Sequence, residues 1–216
     1  MKLYLSSFKL GNKTEELKKW ISEHNNKLCL IPNARDIYPD GERKTSGIQA
    51  DAKELEDLGF DVTIISLKDY FNKKEELFKR LEEFSAFFSI GGNVFVLRQA
   101  MHLSGFDEYL KTIENDPNHL YGGYSAGICV LAKDLHGLDV CDDPNSNVYG
   151  IDTMWEGLGY FDYIFLPHYK SDHKETKLID ESVEYCNKNN IKYRTLRDRD
   201  VILGDTSKKV EKEEGR

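Results

Sequence analysis

A parallel, doubly wound α/β sheet is the fold this sequence predicts, on two observations. Apolar strand-like runs and amphipathic helical stretches alternate five times before residue 125, the order that lays parallel strands beneath crossover helices. Two glycine-bearing turns, Gly91-Gly92-Asn93 and Gly122-Gly123-Tyr124-Ser125-Ala126-Gly127, each stand where a strand gives way to a helix. In open α/β sheets, ligands collect at those strand ends. With 216 residues the chain predicts one domain over 1–207 and a charged tail over 208–216.

The elements follow in order. Residues 2–7 form an apolar first strand, and 14–24 an amphipathic helix with Leu17, Trp20, Ile21 and His24 at helical spacing. Residues 27–32 read as a buried strand closed by Pro32. The polar segment 33–44 is either a loop over a site or plain surface. A stripe of Ile48, Ala52, Leu55 and Leu58 gives the next helix, with Gly59 placed to end it. Residues 61–67 are a third strand, 73–84 a charged amphipathic helix, and 85–90 a fourth strand running into Gly91-Gly92. Glycines there let backbone approach a ligand, and Asn93 either caps the apolar helix 94–103 or touches substrate. A short helix over 107–114 and a strand over 119–123 lead to the serine turn, after which 128–132 are apolar enough for a buried helix. Residues 134–155 are irregular. Then come a strand at 163–166 ending in Pro167-His168-Tyr169, a helix at 174–187, a strand at 193–196, a turn at 198–200 and a strand at 201–203.

Composition narrows the function. Thirty Lys and Arg against 38 Asp and Glu leave a net charge of −8, which argues against nucleic acid as a partner. No apolar run approaches the roughly 20 residues of a membrane span, and the N-terminal segment lacks a signal-peptide core, so a cytoplasmic protein without a membrane partner is expected. Cys29, Cys129, Cys141 and Cys186 form no C-x-x-C pair, so neither a zinc site nor a disulfide framework is expected.

Gly123, Ser125 and Gly127 have the G-x-S-x-G spacing of a nucleophile elbow, in which a sharp strand-to-helix turn lifts the serine hydroxyl clear of the sheet. A serine needs a base within hydrogen-bond reach and donors for the oxyanion. Of the six histidines, His168 is the best base because it directly follows a strand; His136 and His173 are the remaining candidates. The backbone N–H groups of Gly92 and Ala126 are the natural oxyanion pair.

Three blocks, Ile90-Gly91-Gly92-Asn93, Gly123-Tyr124-Ser125-Ala126-Gly127, and Glu156-Gly157-Leu158-Gly159-Tyr160-Phe161 leading to Pro167-His168-Tyr169, resemble the dipeptidase E (aspartyl dipeptidase) and cyanophycinase family of serine peptidases. The resemblance implies a three-layer, class I glutamine-amidotransferase-like sandwich of helices around a mostly parallel sheet. It also implies Ser125 as nucleophile, His168 as general base and Gly92 with Ala126 as oxyanion donors, with no metal or organic cofactor. The substrate implied is a small peptide, and a homodimer is left open. In that family an aspartate roughly fifteen residues past the nucleophile orients the histidine. That offset falls on Val140 here, so Asp142 or Asp143 fits best and Glu156 is a further candidate. Aspartyl dipeptidases carry Glu-Thr-Arg after the histidine; the similar stretch is Glu175-Thr176-Lys177, which keeps the charge without arginine's two-pronged match to a carboxylate. A preference for an N-terminal acidic residue is the corresponding expectation. Competing readings are an esterase or amidase using the same serine, and a non-catalytic small-ligand-binding member of the fold.

Overall fold

A computed structural model describes residues 1–206; the charged tail expected at 208–216 lies outside the described residues. Six strands form one sheet in the order β3-β2-β4-β5-β1-β8: β1 Lys2–Ser6, β2 Lys27–Ile31, β3 Asp61–Ile64, β4 Ala86–Ser89, β5 Leu120–Tyr124 and β8 Val201–Asp205. All neighbours run parallel except β8, which pairs antiparallel with β1 at the edge. A separate parallel pair joins β6 Ile164–Leu166 to β7 Tyr193–Thr195.

The central strands are apolar without a polar alternate because both faces are covered. Leu3, Leu5, Cys29, Ile31, Phe87 and Tyr121 point into one core, while Tyr4, Leu28, Leu30, Phe88 and Leu120 point into the other. The second core is closed by Leu17 and Trp20 of α1 Thr14–Glu23 and by Ala52 and Leu55 of α2 Glu42–Glu56. The first is closed by α3 Lys74–Leu81, α4 Val94–Ser104 and α5 Phe106–Ile113, with α7 Thr176–Asn189 contributing Ile179 and Cys186. This is the helix-sheet-helix sandwich expected of the chain. Among the described residues, no helix is long and apolar enough to cross a membrane.

Two local departures from the expected elements matter for the site. The polar segment 33–44 contains a 3-10 turn, Asn33–Ile37, and gives its last residues to α2, which starts at Glu42. Within that turn, the Asn33 side chain accepts from Leu67 N–H at 2.9 Å and donates to Asp36 at 2.8 Å, which ties the segment to the chain that follows β3. The helix after the serine is a single turn, α6 Ala126–Cys129. It stops because the carbonyls of Val130, Leu131 and Ala132 accept from the N–H groups of Leu158, Tyr160 and Gly159 instead of continuing a helical ladder. The Glu156-to-Phe161 block is therefore a backbone clamp on the end of the elbow. Gly157 has to be glycine there, since a Cβ on it would lie 2.0 Å from Ala132 O.

Candidate active site

β4 and β5 pair in register, Ser89 opposite Gly123, so the chain leaving β4 at Gly91-Gly92 lies beside the chain leaving β5 at Ser125. Ser125 has φ 50° and ψ −119°, a left-handed backbone that an L residue with a side chain adopts only at a cost of about 1–3 kcal/mol. The elbow glycines follow from packing as well as from turning. A Cβ on Gly123 would sit 2.6 Å from Ser89 O, one on Gly127 2.0 Å from the same atom, and one on Gly92 (φ 155°) 2.3 Å from Ala34 O. Gly127→Ala is accordingly expected to destabilise the fold by about 1–3 kcal/mol through overpacking, lowering the melting temperature by several degrees. A thermal unfolding curve that superposes on wild type would show that the end of β4 can give way.

Ser125 opens into a cleft of about 460 Å³, within the range of small-molecule sites. His168 lines the same cleft. Its backbone is held at φ 63°, with its N–H donating to Ser7 Oγ at 2.9 Å and its carbonyl accepting from Thr176 Oγ1 at 2.9 Å. The imidazole is 2 % exposed. Its Nδ1 lies 2.7 Å from Asp198 Oδ1, and Asp198 is itself fixed by its N–H donating to Ser171 Oγ at 2.8 Å. Burial pushes the His168 pKa below its ordinary value; the bond to Asp198 opposes this and the neighbouring His173 reinforces it. With Nδ1 occupied as donor to the carboxylate, Nε2 carries the lone pair. Among the described residues no hydrogen bond joins Ser125 Oγ to Nε2. Proton transfer requires the pair to close to about 2.6–3.2 Å, as such pairs do when substrate is bound.

The carboxylate on His168 is thus Asp198 and none of the three candidates from the sequence. Asp142 lines the cleft, but its Oδ2 accepts from Val94 N–H at 2.8 Å at the start of α4. Burial and the charge of Glu175 raise its pKa to about 7 against the opposing pull of that N–H. Asp143 also lines the cleft; its carboxylate accepts from Asn145 N–H, and its carbonyl from Asn93 Nδ2. Glu156 is exposed, bridges antiparallel to Asp134, and uses its carbonyl to receive Arg98 Nε. Asn93 is buried as the cap of α4, its Oδ1 accepting from Val96 N–H at 3.0 Å, and it borders the cleft. Lys177 projects from α7 as an exposed residue and is not among the cleft-lining residues. The Ala126 N–H belongs to the first turn of α6, where backbone donors have no helical partner, and Gly92 borders Ser125 across the cleft.

Cations that do face the cleft come from elsewhere. Arg35, from the polar segment, donates through Nη2 to Tyr124 OH at 2.8 Å and pairs with Asp51 Oδ2 at 2.6 Å. Lys9 pairs with Asp51 Oδ1 at 2.6 Å and Glu54 at 2.9 Å. Tyr124 immediately precedes the serine and donates to Asp51 at 3.1 Å, so this network anchors the elbow from the other face of the sheet. Lys174 adds an exposed ammonium at the rim. Asp198, Arg35 and Lys9 were not singled out from sequence. A usable signal existed for Asp198, which follows a strand end as His168 does.

A mostly parallel sheet with helices on both faces and a strained elbow over its carboxyl edge is the framework on which α/β hydrolytic enzymes carry their nucleophile. The chain belongs to peptidase family S51, whose model matches residues 4–206; it is a peptidase. Among solved structures it resembles a putative peptidase E protein from Listeria monocytogenes EGD-e, at 21 % identity and a TM-score of 0.72, covering 94 % of this chain and 98 % of that one. It also resembles a peptidase from an acI-B1 Actinobacterium, at 17 % identity and a TM-score of 0.66, covering 94 % and 83 %. At those identities the likeness establishes the fold. No curated protein sequence matches the chain.

Proposed function

We propose that the protein is a serine dipeptidase acting in a reducing, cytoplasm-like compartment, where its four free cysteines stay unpaired. The observation that carries the reading is the placement of Ser125, on its strained elbow, in one cleft with a buried His168 whose Nδ1 is tied to Asp198. In the proposed reaction His168 Nε2 takes the Ser125 proton as Oγ attacks the scissile carbonyl. The N–H groups of Gly92 and Ala126 receive the oxyanion, and the imidazolium returns its proton to the leaving amine. Water activated by the same histidine then hydrolyses the acyl-enzyme. Asp198 keeps the imidazole in the tautomer that accepts at Nε2.

The cleft presents both signs of charge, with Lys9, Arg35 and Lys174 against Asp143 and Glu175. A short peptide with free amino and carboxyl ends complements that pattern better than a neutral ester. Arg35 rather than Lys177 is the cation suited to an acidic N-terminal side chain, because it lines the cleft and, with Nη2 held by Tyr124 and Asp51, turns the rest of its guanidinium to the carboxylate. The test is a panel of dipeptides beside p-nitrophenyl esters. Aspartyl dipeptides are expected to show kcat/KM about ten- to a hundredfold above alanyl ones, the worth of a hydrogen bond to a charged group. Hydrolysis of esters with no cleavage of any dipeptide would sink the reading.

A further inference from the structure

The base of the proposed mechanism sits in a cluster the mechanism does not use. His168, His173 and Glu175 each offer a ligand atom, and these atoms lie within 4.8 Å of one another. His168 Nε2 is 4.0 Å from Glu175 Oε2. The His173 ring stacks on that of His168 with centroids 3.7 Å apart and planes at 10°. The His173 Nδ1 accepts from Glu175 N–H at 3.3 Å; ligation of an ion through Nε2 moves the ring proton to Nδ1 and gives up that bond. All three residues line the cleft.

We infer that His168, His173 and Glu175 form a binding site for a divalent transition ion of the zinc type, and that its occupation switches the peptidase off. Two imidazoles and one carboxylate are a donor set that suits zinc and cobalt, with a further position open to water. Magnesium and calcium, which demand oxygen ligands, do not fit it. Asp198 already holds the far nitrogen of His168, the carboxylate–histidine arrangement that fixes the tautomer and strengthens a metal-binding imidazole. Bringing three ligands to about 2.0–2.1 Å from one ion requires His173 to tilt out of the stack and Glu175 to advance. Both are only partly buried, and the tilt gives up the His168 stack and an edge contact with the Phe8 ring. The opposing contact, Lys174 Nζ to Glu175 Oε1 at 3.7 Å, is an exposed pair and offers little resistance.

Metal binding needs only the three side chains. Inhibition rests on the proposed function, because an ion on Nε2 takes up the lone pair that would accept the Ser125 proton. The experiment therefore has two readouts. Cobalt(II) titrated into the full chain is expected to give a saturable visible absorption at one equivalent, displaced by zinc. The Ser125→Ala protein should retain this signal, and His173→Ala and Glu175→Gln should weaken binding by at least about ten- to a hundredfold, the loss typical even of an outer-sphere partner. In dipeptide assays zinc should inhibit reversibly, with chelator restoring the rate. The inhibitory concentration should rise by a similar factor in His173→Ala, measured against that variant's own zinc-free rate. Absence of a one-equivalent cobalt signal, or an unchanged signal in both variants, would overturn the site whatever the catalytic activity proves to be. Cobalt binding as expected, with zinc leaving dipeptide hydrolysis untouched, would overturn the switch.

Discussion

Ser125→Ala is expected to lower kcat for dipeptide hydrolysis by on the order of a million-fold, the scale seen when a triad nucleophile is deleted, with the folded state intact. The hydroxyl is the only atom removed, and the elbow backbone is held by contacts that alanine keeps: Ile128 and Cys129 N–H donate to the carbonyl of residue 125 at 2.9 and 3.0 Å. Residual turnover should come from the oxyanion donors and from binding alone. Ser125→Gly removes the same hydroxyl but also relieves the φ 50° strain, so it should be equally inactive yet more stable by up to about 1–3 kcal/mol. Measuring rate and unfolding midpoint together separates the two effects. A Ser125→Ala protein that retained even a hundredth of wild-type activity would exclude this residue as the nucleophile. In the wild type, a fluorophosphonate should label Ser125 and leave the other serines unmodified.

Much of this arrangement was legible because the information is local. The buried strands announce themselves as apolar runs, and the elbow as glycines around a serine. The reason for those glycines became visible only in three dimensions: both Gly123 and Gly127 press on Ser89 O, an atom of the neighbouring strand. The orienting acid was not legible for a related reason. His168 and Asp198 are thirty positions apart and meet because β6 and β7 pair in parallel, with Leu166 opposite Thr195, a pairing outside the main sheet that no periodicity announces. Counting forward from the serine leads instead to Asp142 or Asp143, whose carboxylates accept from Val94 N–H at the α4 N-terminus and from Asn145 N–H. The cleft cations were hidden likewise: Arg35 lies in a polar stretch that reads as loop or surface, whereas Lys177, prominent beside Glu175-Thr176, is exposed on α7 and does not line the cleft.

Asp198→Asn is expected to reduce kcat by about ten-thousandfold, the cost of losing the orienting acid of a serine triad, while Asp143→Asn and Glu156→Gln stay within a few-fold of wild type. The carboxylate accepts a hydrogen bond from Nδ1–H at 2.7 Å and so leaves Nε2 as the acceptor. An asparagine amide can instead donate to Nδ1, which puts the ring proton on Nε2 and removes the base. The pH profile adds a second signature. Neutral His168 is the active form, so kcat/KM should rise with pH through the free-enzyme pKa. Burial places that midpoint below the ordinary 6.5, and the wild-type profile is expected to be flat by neutrality. Losing the negative charge of Asp198 removes the influence that holds the pKa up, so the residual limb of Asp198→Asn should shift to still lower pH as its plateau falls. The same depression bears on stability. Above 6.5 the histidine is neutral in both states; as pH falls below that value the unfolded chain takes up the proton first, and folding stability declines toward the depressed pKa. A variant with wild-type kcat, or one whose limb moved to higher pH, would show that Asp198 neither orients nor charges the base.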